Sequence, residues 1–181
     1  MTVTAEGYTG VYDGSAHGIT VNAPAGATVK YGTTSSSYTE TSSPTYTNAG
    51  NYTVYYQVTK DNYAPVTGSA TVKITKKAAT ISFADGTVNK YYGDDQFTNA
   101  LTDTGDAKAN GKVSYSSSDT SVATINSDGK VTIVSAGTTT ITATVTSSTN
   151  YSYSPSSVQY TLTVKPISGV QPYNNGGSQT W

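Results

Sequence analysis

Asn48-Ala49-Gly50-Asn51-Tyr52-Thr53-Val54-Tyr55-Tyr56-Gln57-Val58 decides how this chain folds. It reads as a tight corner that feeds a tyrosine into a long strand. With a period of two, Tyr52, Val54, Tyr56 and Val58 share one face, and Thr53, Tyr55 and Gln57 share the other. Ala70, Val72 and Ile74 alternate in the same way with Thr71 and Lys73. Asp61-Asn62-Tyr63-Ala64-Pro65 supplies the turn between the two runs, so the pair is predicted to be a hairpin.

The same device returns as Ser135-Ala136-Gly137-Thr138-Thr139-Thr140-Ile141-Thr142-Ala143-Thr144-Val145. Gly50 to Gly137 is 87 residues, Asn62-Tyr63 to Asn150-Tyr151 is 88, and Ile74 to Val164 is 90. Ordered similarity of this kind marks an internal repeat. The boundary falls near Thr75-Lys76-Lys77-Ala78, which gives domains at 1–76 and 77–166 and a flexible tail or linker at 167–181. The junction has no Gly, Pro or Ser, so the modules are expected end to end as a stiff rod.

Composition supports an all-β chain. Tyr is present 16 times, only two Leu and one Met occur, and no window supports an amphipathic helix. Cys is absent, so each core must hold by burial and strand pairing. The ten cations are all Lys and the net charge is −1, which disfavours nucleic-acid binding. No run approaches the roughly 20 apolar residues of a membrane span, so no membrane insertion is expected in this segment. Met1-Thr2-Val3-Thr4 opens an alternating strand with no basic or apolar leader, and the chain reads as a piece of a larger polypeptide.

Along the first repeat, Gly7, Gly10, Gly14 and Gly18 read as turns between short extended pieces. Residues 32–43 are almost wholly Ser and Thr and are predicted to be a surface loop, with an edge strand around Tyr38. In the second repeat, Ile81 and Phe83 open a strand that Gly86 ends, and Phe97 and Leu101 mark one further extended piece. Residues 103–111 form a polar loop. Val122-Ala123-Thr124-Ile125 and Lys130-Val131-Thr132-Ile133-Val134 flank a hairpin turn at Asn126-Ser127-Asp128-Gly129, with Gly129 in the left-handed position.

Seven or so short strands in roughly 75 to 90 residues suit an immunoglobulin-like sandwich. Tyr52 stands two residues before Val54 as a tyrosine corner requires, its hydroxyl bonding back to upstream backbone, with Val54 where antibody domains carry Cys. In the second repeat Thr139 and Ile141 take these places, and the shorter hydroxyl is not expected to make the same bond.

Residues 113–145 resemble the bacterial Ig-like group 2 domain. The resemblance rests on Tyr115-Ser116-Ser117-Ser118-Asp119, Val122-Ala123-Thr124-Ile125, Asp128-Gly129-Lys130-Val131-Thr132 and Ala136-Gly137-Thr138-Thr139-Thr140-Ile141. Tyr92-Gly93-Asp94 and Phe97-Thr98 are more similar to mostly-β glycine-rich repeats of the same class of proteins. So is the first repeat, through Tyr12-Asp13-Gly14-Ser15-Ala16-His17-Gly18 and Ala49-Gly50-Asn51-Tyr52-Thr53-Val54. The resemblance implies a stalk, spacer or adhesin-like arm of an extracellular bacterial surface or secreted protein. It supplies no catalytic residue. The partners it implies are other domains of the same surface protein, with a glycan or host-protein ligand as a further candidate, and the chain is expected to be a monomer.

The residues capable of chemistry are few. His17 is the only histidine; Asp13 and Ser15 stand near it, but no G-x-S-x-G is present and Asp-Gly-Ser is ordinary turn chemistry. Asp94, Asp95, Asp103, Asp106, Asp119 and Asp128 are candidate oxygen ligands for Ca²⁺, but they lack the D-x-D-x-D-G spacing that forces convergence, and solvation of turns and strand ends is their ordinary use. Tyr31, Tyr38, Tyr46, Tyr55, Tyr63, Tyr151 and Tyr153 are candidates for a sugar-stacking face, set against their ordinary use as strand residues. Lys73 and Lys130 are candidates for a Lys–Asn isopeptide crosslink, and alternation points both outward. No catalytic, cofactor-binding or metal residue is assigned. A carbohydrate-binding module, or an accessory domain of a secreted glycan-active enzyme, is the alternative to a structural role.

Overall fold

The computed structural model describes residues 1–167. The expected tail therefore lies, except for Ile167, outside the described residues. The strands in chain order are β1 (Thr4–Glu6), β2 (Tyr8–Val11), β3 (Thr20–Asn22), β4 (Thr28–Gly32), β5 (Gly50–Thr59), β6 (Val66–Thr75), β7 (Lys77–Ala79), β8 (Ile81–Phe83) and β9 (Thr87–Tyr91). They continue as β10 (Phe97–Thr98), β11 (Leu101–Asp103), β12 (Val113–Ser117), β13 (Ala123–Ile125), β14 (Lys130–Ile133), β15 (Gly137–Val145), β16 (Tyr151–Tyr153) and β17 (Ser157–Lys165). No helix occurs among the described residues. Two compact units result: Met1–Ala79 with Ser148–Ser152, and Thr80–Ser147 with the described residues from Tyr153 onward. Both are immunoglobulin-like β-sandwiches.

In the first unit a four-stranded sheet, β2-β6-β5-β4, faces the two-stranded sheet β1-β3. The quoted hairpin is its spine, with β5 and β6 paired antiparallel from Gly50↔Ile74 to Val58↔Val66. Val54, Val58 and Val72 are fully buried and pack with Ile19, Tyr56 and Ile74, as the alternation requires. Burying each such aliphatic side chain contributes about 1.5–3 kcal/mol.

Two expectations for this unit are corrected. Gly7 and Gly10 are not turns: Gly10 lies inside β2, and Gly7 sits against the Thr71 carbonyl, where a Cβ has no room. Gly10 and Gly50 flank Ile74 in the sheet, while Tyr8 and Tyr52 flank Val72 two residues away. Each tyrosine ring lies over the glycine two residues along its own strand, and Tyr56 covers its cross-strand partner Gly68 in the same manner. The second correction concerns strand number. Residues 33–49 hold only isolated bridges, His17↔Tyr46, Tyr31↔Glu40 and Thr34↔Ser37, so this unit lacks the extra hairpin of a seven-stranded sandwich and the edge strand at Tyr38. The run of Ser and Thr offers no apolar face to bury there.

The second unit repeats the plan as β12-β15-β17-β9, facing β8-β11, and adds β10-β14-β13. Val122, Ala123, Val131, Ile141, Tyr160, Leu162 and Val164 form its core, and a smaller cluster gathers Ile81, Leu101 and Ala143. Gly137 pairs with Val164 as Gly50 pairs with Ile74, so the spacings read from the sequence fall on equivalent rungs. In both units the early strand that joins the main sheet runs parallel to the last one, β2 with β6 and β9 with β17. Tyr12 N–H donates to Thr75 O and Tyr92 N–H to Lys165 O, each at 2.8 Å.

Here too the structure corrects the reading. Phe97 and Leu101 lie in different sheets, β10 on β14 and β11 on β8. Buried Asn99 marks the switch, its side chain donating to Asp85 O (2.8 Å) and accepting from Asp85 N–H (3.2 Å). Strand β9 was not foreseen, because Thr87-Val88-Asn89-Lys90-Tyr91 has one aliphatic residue and no readable alternation. The Asn-Tyr dipeptides share a position but not a conformation. Asn62 is an exposed turn residue at φ 65°, whereas Asn150 is buried and Tyr151 opens β16.

Tyr160 is 2% exposed, with its ring edge-on to Phe83 at 4.8 Å, and its buried hydroxyl has no hydrogen-bond partner among the described residues. Burial pushes its ionisation up to about 12. Tyr160→Phe keeps the ring and removes the orphan hydroxyl, so urea unfolding at neutral pH should show the second unit stabilised by about 1 kcal/mol. Because the folded value is raised, the parent protein should lose stability between about pH 10 and 12, where the unfolded state ionises first. The variant should lack that share of the alkaline slope.

Candidate functional site

His17 and Asp13 do meet. The imidazole Nε2 lies 3.0 Å from Asp13 Oδ1 and 3.2 Å from Oδ2, and the ring stacks on Tyr8 at 3.7 Å and 9°. The hydrogen bond from His17, followed by that from Ser15 N–H (2.8 Å), holds the Asp13 carboxyl below its ordinary value. The Asx turn Asp13-Gly14-Ser15 brings the acid back to the histidine, a juxtaposition that sequence spacing of four did not by itself require. Among the described residues no hydroxyl is hydrogen-bonded to His17, so the pair is an orienting contact under the Tyr8 ring.

The acidic candidates stay apart. No group of three metal-ligating side chains forms among the described residues. Three of the acids serve their own turns: Asp94 Oδ2 accepts from Tyr91 N–H (3.0 Å), Asp119 Oδ1 accepts from Ser121 N–H (2.9 Å) and its hydroxyl (2.6 Å), and Asp103 does the same in its loop. Asp103 is the most engaged. Its Oδ1 accepts from Gly105 N–H and Tyr153 O–H, both at 2.8 Å, and its Oδ2 accepts from Lys108 N–H at 2.8 Å. The Tyr153 oxygen accepts in turn from the amides of Asp106 (2.8 Å) and Ala107 (2.9 Å), and Ala107 is fully buried. Burial pushes the Asp103 carboxyl up, but the bonds from Lys108, Gly105 and Tyr153 outweigh it and leave the group below its ordinary value. The polar loop at 103–111 is thereby an ordered turn wrapped on a tyrosine hydroxyl.

The two corners solve one problem differently. Tyr52 O–H donates to Asn48 O at 3.1 Å, the tyrosine-corner bond, and its ring stacks on Tyr46 at 4.0 Å. In the second unit Thr139 is 2% exposed and its Oγ1 accepts from Asp119 N–H (2.9 Å), with Ser117 Oγ at 2.9 Å and Ser118 Oγ at 3.1 Å. Ser118 Oγ also accepts from Thr140 N–H at 2.8 Å. The Ser-Ser-Asp run thus clasps the end of β12 to β15. Space above Gly137 (φ 153°), filled by Tyr52 at the first corner's glycine, is filled here by Val122, whose Cγ2 would stand 2.7 Å from an added Cβ.

Most of the tyrosines nominated for a sugar platform have internal work. Tyr46 stacks on Tyr52, Tyr151 packs edge-on to Tyr12 at 5.6 Å, Tyr153 holds the loop, and Tyr38 O–H donates to Ser35 O at 2.7 Å. Tyr63 is exposed, with Lys60 Nζ 5.6 Å from its ring centre. Lys73 and Lys130 face solvent, as their alternation predicts. Sequence reading missed a different surface: Tyr91, Tyr92, Val134 and Ile167 are 45–57% exposed, and the last three line one shallow depression with Ser135, Ala136 and Pro166. Its residues come from three separate stretches, so no local pattern announces it.

Thr139→Val keeps the shape but leaves Asp119 N–H without its acceptor, and denaturant unfolding should show a loss of about 1–3 kcal/mol in the second unit. Thr139→Ser keeps the hydroxyl and should lose less. For Asp103 the folded value is lowered, so its contribution is complete above the ordinary carboxylate range and disappears as pH falls through the folded value. Hydrogen exchange should therefore show the Gly105 and Lys108 amides protected at pH 6 and opened in strong acid, and Asp103→Asn should remove the pH dependence.

No match among curated proteins reaches significance. The chain is similar in fold to several solved structures. Surface layer protein SbsC domains 1–6 aligns at 21% identity and TM-score 0.46, over 81% of this chain and 21% of that one. Drosophila N-cadherin EC1-4 aligns at 13% and 0.36, over 88% and 47%. SbsC domains 4 and 5 align at 16% and 0.41, over 91% and 98%. The chain thus spans about a fifth of the first of these and just under half of the second. A family model, that of the bacterial Ig-like domain (group 2), matches residues 92–153. The Ser-Ser-Asp clasp, the Asp-Gly hairpin and the glycine corner all lie inside the stretch, residues 92–153, that matches the bacterial Ig-like domain (group 2).

Proposed function

We propose that this chain is a non-enzymatic structural module, a stalk or spacer of a bacterial cell-surface or secreted protein, built as tandem repeats at 1–76 and 77–166. The family match over residues 92–153 supports a structural or adhesion-type role. The observation that carries the mechanical reading is the parallel closing pair of each unit, β2 with β6 and β9 with β17. Chain entering through β2 and leaving through β6 pulls these neighbours past each other. Their hydrogen bonds then share the load and break together, whereas an antiparallel hairpin pulled open at facing residues breaks them one at a time. A spacer under tension profits from the first geometry, and forced unfolding is governed by the barrier that such a pair sets.

Single-molecule stretching tests this. The chain has no Cys, so handles can be placed at will. Pulled through its termini, the protein should unfold in two events at forces several-fold above those needed through Thr53→Cys and Thr71→Cys, which face each other across β5 and β6. Equal forces for the two attachments would remove the mechanical reading.

A further inference from the structure

The repeat makes the depression at Tyr92, Val134, Ser135, Ala136, Pro166 and Ile167 interpretable, because the first unit has the same face and there it is covered. Tyr12 corresponds to Tyr92 through their shared bond to the last strand, to Thr75 O and Lys165 O respectively. The Gly50–Gly137 offset sets Asn48-Ala49 against Ser135-Ala136, and the Ile74–Val164 offset sets Lys77 against Ile167. On the first unit's face lies the segment Ser148–Ser152, which belongs to that unit. Asn150 is buried there: its Oδ1 accepts from Ala49 N–H (2.8 Å), its Nδ2 donates to Asn48 Oδ1 (3.1 Å), and its carbonyl accepts from Lys77 N–H (2.9 Å). Tyr151 packs edge-on to Tyr12, and Lys76 Nζ donates to Ser148 O at 2.6 Å.

On the second unit's face nothing described takes this place. Tyr92 is 49% exposed where Tyr12 is half-buried, Ala136 is exposed, and no hydrogen bond of the Ala136 amide is found among the described residues. We propose that this face is a socket for an Asn-Tyr segment, supplied by the connection between the last two long strands of a further repeat of the same kind. Asn150-Tyr151 stands in sequence between β15 and β17, so the rule read from the first unit is that each repeat's face takes the Asn-Tyr of the repeat that follows. The Asn side-chain oxygen meets the Ala136 amide, its carbonyl meets the amide of Ile167, and the tyrosine ring lies edge-on to Tyr92. Four positions differ from the first face: Val134 stands for Thr47, Ser135 for Asn48, Pro166 for Lys76 and Ile167 for Lys77. The socket is therefore more apolar and gives up the bond to the Asn side-chain nitrogen.

The test grafts a second copy of residues 78–167 after Ile167 of this chain and follows the Ala136 amide by hydrogen exchange. Exchange at Ala136 should slow about fivefold or more relative to the 181-residue chain, the scale of one net hydrogen bond. Changing the grafted counterpart of Asn150 to Ala should reverse the effect while the grafted core stays protected. Unchanged exchange beside a folded graft overturns the proposal. Protection already present in the 181-residue chain also overturns it, whether truncation at Ile167 abolishes it (the chain's own residues fill the face) or it grows with concentration (a second copy does). Should the graft fail to fold, a peptide of residues 146–156 serves instead. It should shift the Ala136 amide resonance in the chain truncated at Ile167, and its Asn150→Ala version should not. Identical behaviour of the two peptides sinks the idea.

Discussion

The constraint on which both units depend is the register of a long antiparallel hairpin that begins at a glycine. Gly50 opposite Ile74 and Gly137 opposite Val164 set every later rung. A slip by one residue would carry Val54, Val58 and Val72, or Ile141, Leu162 and Val164, from the core to solvent. With no disulfide available, that loss of burial has nothing to offset it. The other strands of each four-stranded sheet are short and join the hairpin as neighbours: β4 and β12 on one side, β2 and β9 on the other.

Polar side chains then decide where the short strands stop. Asn99 turns the chain from one sheet to the other, Asp103 and the Tyr153 hydroxyl close the loop after β11, and Thr139 ties β12 to β15. In a chain with so few aliphatic residues, these satisfied polar groups, Asn99 and Thr139 buried and Asp103 and Tyr153 partly so, take over ordering that larger cores achieve by packing. Each is expensive to break for the same reason it is effective: removing one partner strands the other away from water.

The long hairpins, the repeat, the Asn126–Gly129 turn and the tyrosine corner were all legible, because each rests on residues close together in sequence. What escaped reading depends on long-range company. Gly10 looks like a turn until Tyr8 and Ile74 are seen around it. Strand β9 has one aliphatic residue, Val88, which packs on the core, and its place in the sheet is set by pairing with the distant β17. Asn150 gave one faint signal, its offset from Asn62, and nothing local says that one is buried and the other exposed. The pairing of His17 with Asp13 was visible only as proximity, and its meaning came from the stacked Tyr8.

The rings lying over Gly10, Gly50 and Gly68 bear on how such a sequence can change through time. An alanine at any of these glycines collides with the aromatic ring above it, and loss of the ring uncovers bare backbone. Replacing one member of a couple by itself either pushes the ring aside or bares the strand, which favours joint replacement at these sites. The second repeat has made one such exchange at its corner, where Thr139 and Val122 together stand in for a single tyrosine. Lineages of this fold should therefore differ by swapped sets of residues, with intermediate combinations rare.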